Sequence, residues 1–232
     1  MVLHQSDRVP AEDYSFKTYD GMIAGIAALM QPATVLDIGA GSGKYGRMLR
    51  SVVPDSKVIA VEVDAESIND HNLHAVYDQI IELEAGRLIT EMPTLSVELA
   101  VLGDVIEHLP KSAGIDLLNW LHYRTSFTVI VTPEHMPMSR SPWYTGHNSW
   151  WSHRDFTWHD NWASHRALQM QLFILRGLGP AKVTLNQIVD AVNAKSMTVV
   201  ETDDLVTAPI ELHRSVESRT TDVGNTFRWR PD

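Results

Sequence analysis

The segment Asp37-Ile38-Gly39-Ala40-Gly41-Ser42-Gly43 closes a short apolar run that begins at Thr34. An apolar run that ends on closely spaced glycines predicts a buried strand feeding a tight turn, since glycine accepts positive φ and lets a ligand approach the backbone. Apolar residues at helical spacing follow over 45–53, and the N–H groups at the start of that helix would face the same space. The segment therefore predicts a ligand site between the first strand and its helix.

Strand and helix patterns alternate on both sides of this segment. Apolar, β-branched runs predict strands, and periodic stretches between them predict helices. The strands are predicted at 34–38, 58–63, 76–83, 99–103 and 127–131, with helices at 22–30, 45–53, 65–73, 111–122, 166–177 and 184–195. This alternation predicts an α/β fold with a doubly wound, Rossmann-like, mostly parallel sheet, whose ligand site lies at the carboxyl ends of the strands.

The 232 residues suit a single domain, and we divide it into three parts. A core covers about 30–133, an aromatic-rich insertion about 134–180, and a C-terminal helix and strands about 181–232. The formal charge of −10 argues against a nucleic-acid partner, because a negative field repels phosphate backbones. There is no cysteine, so disulfides and thiolate catalysis are excluded. Without a signal-peptide pattern or a long apolar run, we expect a cytoplasmic protein that does not enter a membrane.

Three carboxylates lie in or at the ends of predicted strands. Asp37 lies inside the first strand, where a buried charge is costly unless backbone N–H groups or a cationic ligand compensate it. Glu62 closes the second strand, and its carboxylate can accept two hydrogen bonds side by side, which suits the vicinal hydroxyls of a ribose. Asp104 closes the fourth strand. We expect all three at the edge of the sheet where the ligand binds.

Four segments resemble, in order and spacing, the motifs of class I S-adenosylmethionine-dependent methyltransferases. Val35–Gly43 is similar to the first motif of that family, Val61–Asp64 to the acidic second motif, and Gly103–Leu109 to the fourth. Tyr77–Ala85 resembles the third motif more loosely, because Leu83 and Glu84 stand where the family often has glycine and aspartate. The resemblance covers roughly residues 30–135, and it implies S-adenosyl-L-methionine as the cofactor.

The resemblance also implies which residues bind that cofactor. Asp37 and the glycine turn would contact its methionine and ribose parts, and Glu62 would bind the ribose hydroxyls. Val63 would pack on the adenine, with Glu84 beside its amino edge. The full implied set is Asp37, Gly39, Ala40, Gly41, Gly43, Glu62, Val63, Glu84, Ala85, Asp104 and Val105.

Two other nucleotide sites fit the glycines less well. Gly41-x-Gly43-x-x-Gly46 has the spacing of a dinucleotide fingerprint, but it begins beyond the end of the strand and leaves Asp104 without a role. A P-loop is excluded, because Lys44 is followed by Tyr45 and not by serine or threonine.

The acceptor side is predicted from histidines and tryptophans. His108, after the fourth strand, and His135, after the fifth, are candidate catalytic bases, since removing a proton from an acceptor usually falls to histidine. The segment 134–165 contains five tryptophans, whose faces can bind flat or sugar-like ligands. We interpret this segment as the acceptor cover; a satellite core or a homodimer contact is the alternative.

We expect a small-molecule acceptor, methylated at oxygen or nitrogen without a metal. One alternative is a metal-assisted RNA methyltransferase. Asp104-x-x-Glu107-His108 resembles, with Asp for Glu, an element that binds a divalent ion in some methyltransferases of small RNA ends and of quinone precursors. A histidine from the aromatic segment would complete such a site. A further alternative is a cofactor-binding regulatory protein without catalysis.

Overall fold

The computed structural model describes residues 16–134, 146–167, 170–194, 209–214, 219–220 and 226–227. Strands and helices alternate through the first part of the chain, and strands dominate the second part. The helices are α1 Asp20–Met30, α2 Lys44–Val52, α3 Ala65–Asp70, α4 Leu88–Glu91, α5 Lys111–His122 and α6 Leu185–Asn193. The strands are β1 Thr34–Ile38, β2 Lys57–Glu62, β3 Gln79–Glu82, β4 Val97–Gly103, β5 Thr125–Pro133, β6 Asn161–Arg166, β7 Met170–Arg176, β8 Glu211–Arg214, β9 Arg219–Thr220 and β10 Thr226–Phe227.

The first eight strands form one sheet in the order β3-β2-β1-β4-β5-β7-β6-β8. The strands from β3 to β5 pair in parallel, whereas β7, β6 and β8 are antiparallel to their neighbours. The predicted Rossmann-like sheet is therefore confirmed. The order reverses direction between β1 and β4, and ligands of open α/β sheets bind where that happens.

Two apolar clusters cover the two faces of the sheet. One packs α1, α2, α3 and α6 against residues such as Val35, Leu99 and Val129. The other packs α4 and α5 against residues such as Leu36 and Leu102. Because β1 is covered on both faces, every residue from Val35 to Ile38 is buried, including the charged Asp37.

The predicted helix over 166–177 is wrong, because this stretch contains β7. Met170–Arg176 pairs with β5 on one side and with β6 on the other, and six of its seven residues are buried. A strand covered on both faces is a continuous apolar run, which periodicity alone does not distinguish from a buried helix segment. Packing against two neighbouring strands decides between them.

Within the described ranges, no helix is both long enough and apolar enough to cross a membrane.

Candidate active site

The glycine turn after β1 has a backbone that favours glycine at three positions. Gly39, Gly41 and Gly43 all have positive φ, at 75°, 51° and 81°. A Cβ on Gly39 would lie 2.2 Å from Cγ2 of Val105, whereas a Cβ on Gly41 would meet nothing closer than 3.9 Å. Gly39 is therefore required for packing, and the space beside Gly41 is open to a ligand.

Glu62 lies directly beside this turn. Its Oε2 accepts a hydrogen bond from the Gly41 N–H at 2.7 Å, and its Oε1 accepts from the N–H groups of Val63 and Asp64, both at 2.9 Å. The backbone thus fixes the carboxylate at the end of β2. Each carboxylate oxygen has more than one lone-pair site, so hydroxyl donors from a ribose can still be accepted.

Asp37 is fully buried below the turn and is held by a tyrosine. The Tyr77 hydroxyl donates to Oδ2 of Asp37 at 2.5 Å and accepts from the Gly46 N–H at 3.1 Å. Oδ1 is buried and has no hydrogen-bond partner among the described residues. Burial raises the pKa of Asp37 to about 6, although the bond from Tyr77 and the nearby Lys44 ammonium lower it. Asp37 therefore lies where a cationic group would stabilise it.

Asp104 and Val105 complete this side of the site from the end of β4. Asp104 has φ of 57°, a left-handed conformation that is uncommon outside glycine, and its N–H donates to Val131 O at 3.0 Å. Backbone strain of this kind concentrates at functional sites. The Val105 side chain covers Gly39. The structure thus brings both residues to the glycine turn.

The residues predicted to contact the adenine are more exposed to solvent than Asp37 and Glu62 are. Val63 is 63% exposed, which is high for a large apolar side chain, and it directly follows Glu62. Glu84 is exposed at the start of a 3₁₀ turn, and Ala85 is half-buried beside it. The Leu83 N–H donates to Glu62 O at 3.0 Å, so this turn is attached to the end of β2.

Glu107 lies on the turn after β4 and is only 2% exposed. Oε2 accepts from the Thr132 hydroxyl at 3.2 Å, and Oε1 is buried without a hydrogen-bond partner among the described residues. Burial, and then the negative charge of Asp104, raise the pKa of Glu107 to about 8. The carboxyl is therefore a buried acid with one unsatisfied oxygen.

Two imidazoles lie beside Glu107. The His108 ring is 4.7 Å from the His147 ring, nearly perpendicular to it. Nδ1 of His108 donates to Gly146 O at 3.2 Å, so its Nε2 carries the lone pair. Burial lowers the pKa of both histidines, which keeps them neutral at pH 7. His135, the other predicted base, lies outside the described residues.

The segment 146–152 is attached to the turn after β4 by hydrogen bonds. The N–H groups of Asn148 and Ser149 donate to Glu107 O at 2.7 and 3.0 Å. The Asn148 side chain donates to His108 O at 2.8 Å, and the Trp151 indole donates to Ile106 O at 3.3 Å. These bonds hold His147 close to His108, although the two residues come from different parts of the chain.

The described tryptophans of the segment 134–165 divide into buried and exposed ones. Trp151 is fully buried and Trp162 nearly so, and both pack in the apolar cluster that includes Phe156. Trp150 and Trp158 are 51% and 41% exposed. Trp150 donates from its indole to Glu134 O, just past β5. The buried pair acts as core, and Trp150 is the described tryptophan placed at the predicted acceptor side.

A polar cavity of about 410 Å³ lies farther along the same sheet, between β6, β7 and β8. Adjacent strands are ~4.8 Å apart, and β6 is four places from β1 in the sheet, so the cavity lies roughly 20 Å from the glycine turn. It is therefore separate from the cofactor residues. Its lining consists of His153, Ser164, His165, Arg166, Gln171, Phe173, Pro209, Glu211 and His213.

Comparison with known proteins was made by sequence and by structure. No family model and no curated protein matches the chain by sequence. An O-methyltransferase family protein from Burkholderia thailandensis has 12% identity and a TM-score of 0.50 over 68% of this chain, and the match spans 55% of that protein. The plantazolicin methyltransferase BpumL, in complex with SAH, has 11% identity and a TM-score of 0.52 over 69% of this chain and 86% of its own. The methyltransferase domain of bacterial CtHen1-C has 14% identity and a TM-score of 0.53 over 68% of this chain and 96% of its own.

The chain has the fold of S-adenosylmethionine-dependent methyltransferases. The fold predicted from the four motifs is thereby confirmed. In this methyltransferase fold, β1, β2 and β4 place the glycine turn, Glu62 and Asp104 at one sheet edge.

Sequence reasoning does not identify two residues of this edge. Tyr77 belongs to the third motif, and nothing in the sequence predicts that its hydroxyl holds Asp37. The sequence allows for a histidine of the aromatic segment beside Glu107 and His108, but it does not single out His147. Neither contact has a local signal, because each joins residues about 40 positions apart in the chain.

Proposed function

We propose that this protein is an enzyme that transfers a methyl group from S-adenosyl-L-methionine to an oxygen or nitrogen of a small-molecule acceptor. One observation carries this: the open space beside Gly41 is bordered by the Glu62 carboxylate, 2.7 Å from the Gly41 N–H. A positive-φ glycine and a fixed carboxylate at the carboxyl edge of a parallel sheet suit a nucleoside ligand.

Residues around this space fit the parts of the cofactor. Glu62 would accept the two ribose hydroxyls, and exposed Val63 would lose apolar surface to the adenine. Asp37 and Asp104 would place negative charge near the cationic methionine end. Glu84 and Ala85 would lie at the adenine edge. The donor set and the open glycine therefore fit this cofactor.

The reaction needs little covalent chemistry from the protein. S-adenosyl-L-methionine, when bound, supplies a methyl group on a sulfonium leaving group, so the chain's part is alignment and proton removal. The neutral His108, with its Nε2 lone pair, is our candidate base for an acceptor that must lose a proton. Trp150, exposed in the segment 146–152 that is hydrogen-bonded to the turn carrying His108, is our candidate for contacting the acceptor.

A small acceptor is favoured over RNA by the charge of the chain. With a formal charge of −10, the protein as a whole repels a polyanion. Binding to RNA would need a basic surface beside the active site. Lys111, the basic residue nearest His108 in sequence, is already paired with Asp155 at 2.9 Å.

Methyl-labelled S-adenosylmethionine tests this function. The native chain is incubated with a metabolite extract, with total RNA, or with neither, and the label is followed into each fraction. We expect label in the metabolite fraction, and at least tenfold less with Gly41→Ala at a cofactor concentration below the native Kd. Label in RNA would support the RNA alternative instead. Cofactor binding without label in any fraction would support a non-catalytic protein.

A further inference from the structure

Glu107, His108 and His147 form a compact group of metal-ligand types beside the cofactor residues. One ligand-type atom from each residue lies within 4.8 Å of the other two. Glu107 and His108 lie on the turn Ile106–His108, and His147 comes from the segment that follows β5. The group therefore joins two parts of the chain at one point.

The unsatisfied oxygen of Glu107 points to a ligand at this group. Oε1 is buried and receives no hydrogen bond from the described residues, while Oε2 is used by Thr132. A buried carboxylate oxygen without a donor is costly, and such atoms are rare in folded proteins. The ion pairs found among the described residues include none that neutralises Glu107. A cation at Oε1 would remove this cost.

His108 is already oriented for such a cation. The bond from Nδ1 of His108 to Gly146 O fixes that ring and leaves Nε2 with its lone pair. A carbonyl partner on the other ring nitrogen is typical of metal-binding histidines. Ligand atoms bound to one ion at ~2.1 Å lie at most about 4.2 Å apart, so small rotations of the two partly exposed imidazoles would close the group.

We propose that Glu107, His108 and His147 bind a divalent transition-metal ion. Two imidazoles and one carboxylate suit Mn²⁺ or Zn²⁺ better than Mg²⁺ or Ca²⁺, which prefer all-oxygen sites. Three protein ligands leave at least one coordination position for water or an acceptor oxygen. Metal binding at this group can be measured without methyl transfer, so its test is independent of the proposed reaction.

The test uses the full chain after removal of metals with a chelator, titrated with Mn²⁺ and followed by the electron paramagnetic resonance signal of free Mn²⁺. We expect one saturable site, from which an excess of Mg²⁺ does not displace Mn²⁺. His147→Ala and Glu107→Gln should each weaken Mn²⁺ binding at least tenfold. His74→Ala, an exposed histidine on the separate turn Leu73–Ala75, is the matched control and should bind as the native chain does.

A titration with S-adenosylhomocysteine accompanies each variant. His147→Ala should keep the native affinity for it, which separates loss of the metal site from loss of the fold. No saturable Mn²⁺ uptake by the native chain, or equal Mn²⁺ affinity in His147→Ala and His74→Ala, would overturn the proposal. The Nε2 lone pair of His108 cannot bind an ion and accept a proton at the same time, so the metal site replaces the role of His108 as base. His108→Ala that retains native Mn²⁺ affinity would remove His108 from the ligand set and leave that lone pair for the base.

Discussion

Gly39 and Gly41 have similar backbone conformations but opposite surroundings. In Gly41→Ala the new methyl group enters open space, so the expected loss of stability is about 1–2 kcal/mol, from the left-handed φ alone. That same space is where the ligand would lie, and affinity for S-adenosylhomocysteine should fall at least tenfold. Urea unfolding and calorimetric titration measure the two effects.

Gly39→Ala is the matched comparison, because its methyl group would collide with Val105 at 2.2 Å. We expect a larger loss of stability, about 2–4 kcal/mol, from the collision and the positive φ together. If Gly41→Ala bound S-adenosylhomocysteine as tightly as the native chain does, the ligand would not lie against this turn.

Asp37 makes the stability of the chain without cofactor depend on pH. Its folded pKa is about 6 and its ordinary value is 3.8, so the folded state holds a proton that the unfolded state has lost between these values. The free energy of unfolding therefore falls as pH rises from about 4 to about 6. Above pH 6 this loss stays constant. The difference corresponds to roughly 3 kcal/mol at pH 8.

Asp37→Asn removes this charge while keeping the size of the side chain. We expect the variant to be more stable than the native chain at pH 8, with the advantage shrinking toward pH 4, in urea unfolding at both values. S-adenosylhomocysteine should bind it less well, because the negative charge near the methionine end is lost. A stability difference that does not change with pH would show that Asp37 does not titrate in this range.

Several site residues could be predicted from the sequence because each lies in a predicted strand or directly after one. Asp37, Glu62 and Asp104 are recognised by their place in the first, second and fourth strand patterns, and parallel strands bring their carboxyl ends to one edge. Tyr77 and His147 contact the site through the tertiary fold, so neither has a local pattern that identifies it.

At the scale of elements, the segment 146–152 is held between α5 and the turn after β4. The Trp151 ring packs on Gly114 of α5, and the Lys111 ammonium lies 3.7 Å from the centre of that ring. A Cβ on Gly114 would approach Trp151 to 2.5 Å. The absence of a side chain at Gly114 is therefore what lets Trp151 hold the segment in place.

Gly114→Ala should displace Trp151 and the segment that carries His147. Overpacking costs about 1–3 kcal/mol, of which the better helix propensity of alanine offsets about 1 kcal/mol. We expect methyl transfer to fall at least tenfold while affinity for S-adenosylhomocysteine stays within twofold. Unchanged turnover would mean that this segment does not contribute to the acceptor side.

β7 is an element whose type the sequence alone does not predict. Its apolar run fits a buried strand and a buried helix segment equally well, and the pairing with β5 and β6 decides the outcome. The parallel strands were predictable because glycine turns and helices separate them. The antiparallel strands β6 and β7 follow an aromatic segment and are not separated by a helix.

In the whole molecule, the sheet has a parallel half and an antiparallel half, and the proposed site borders both. The parallel half, from β3 to β5, positions every described residue that we assign to the cofactor. The antiparallel strand β7 extends the sheet beside β5, where Glu134 meets Trp150 and Arg166. We therefore propose that the acceptor binds on the side of β5 and the cofactor on the side of β2.

The most direct test of the central claim is a calorimetric titration of the native chain with S-adenosylhomocysteine, with NAD⁺ as the comparison ligand. We predict one saturable site for S-adenosylhomocysteine and no binding of NAD⁺, since Glu62, the glycine turn and Asp104 together fit the former. Absence of S-adenosylhomocysteine binding, or binding of NAD⁺ in its place, would contradict a methyltransferase cofactor site at the end of β1.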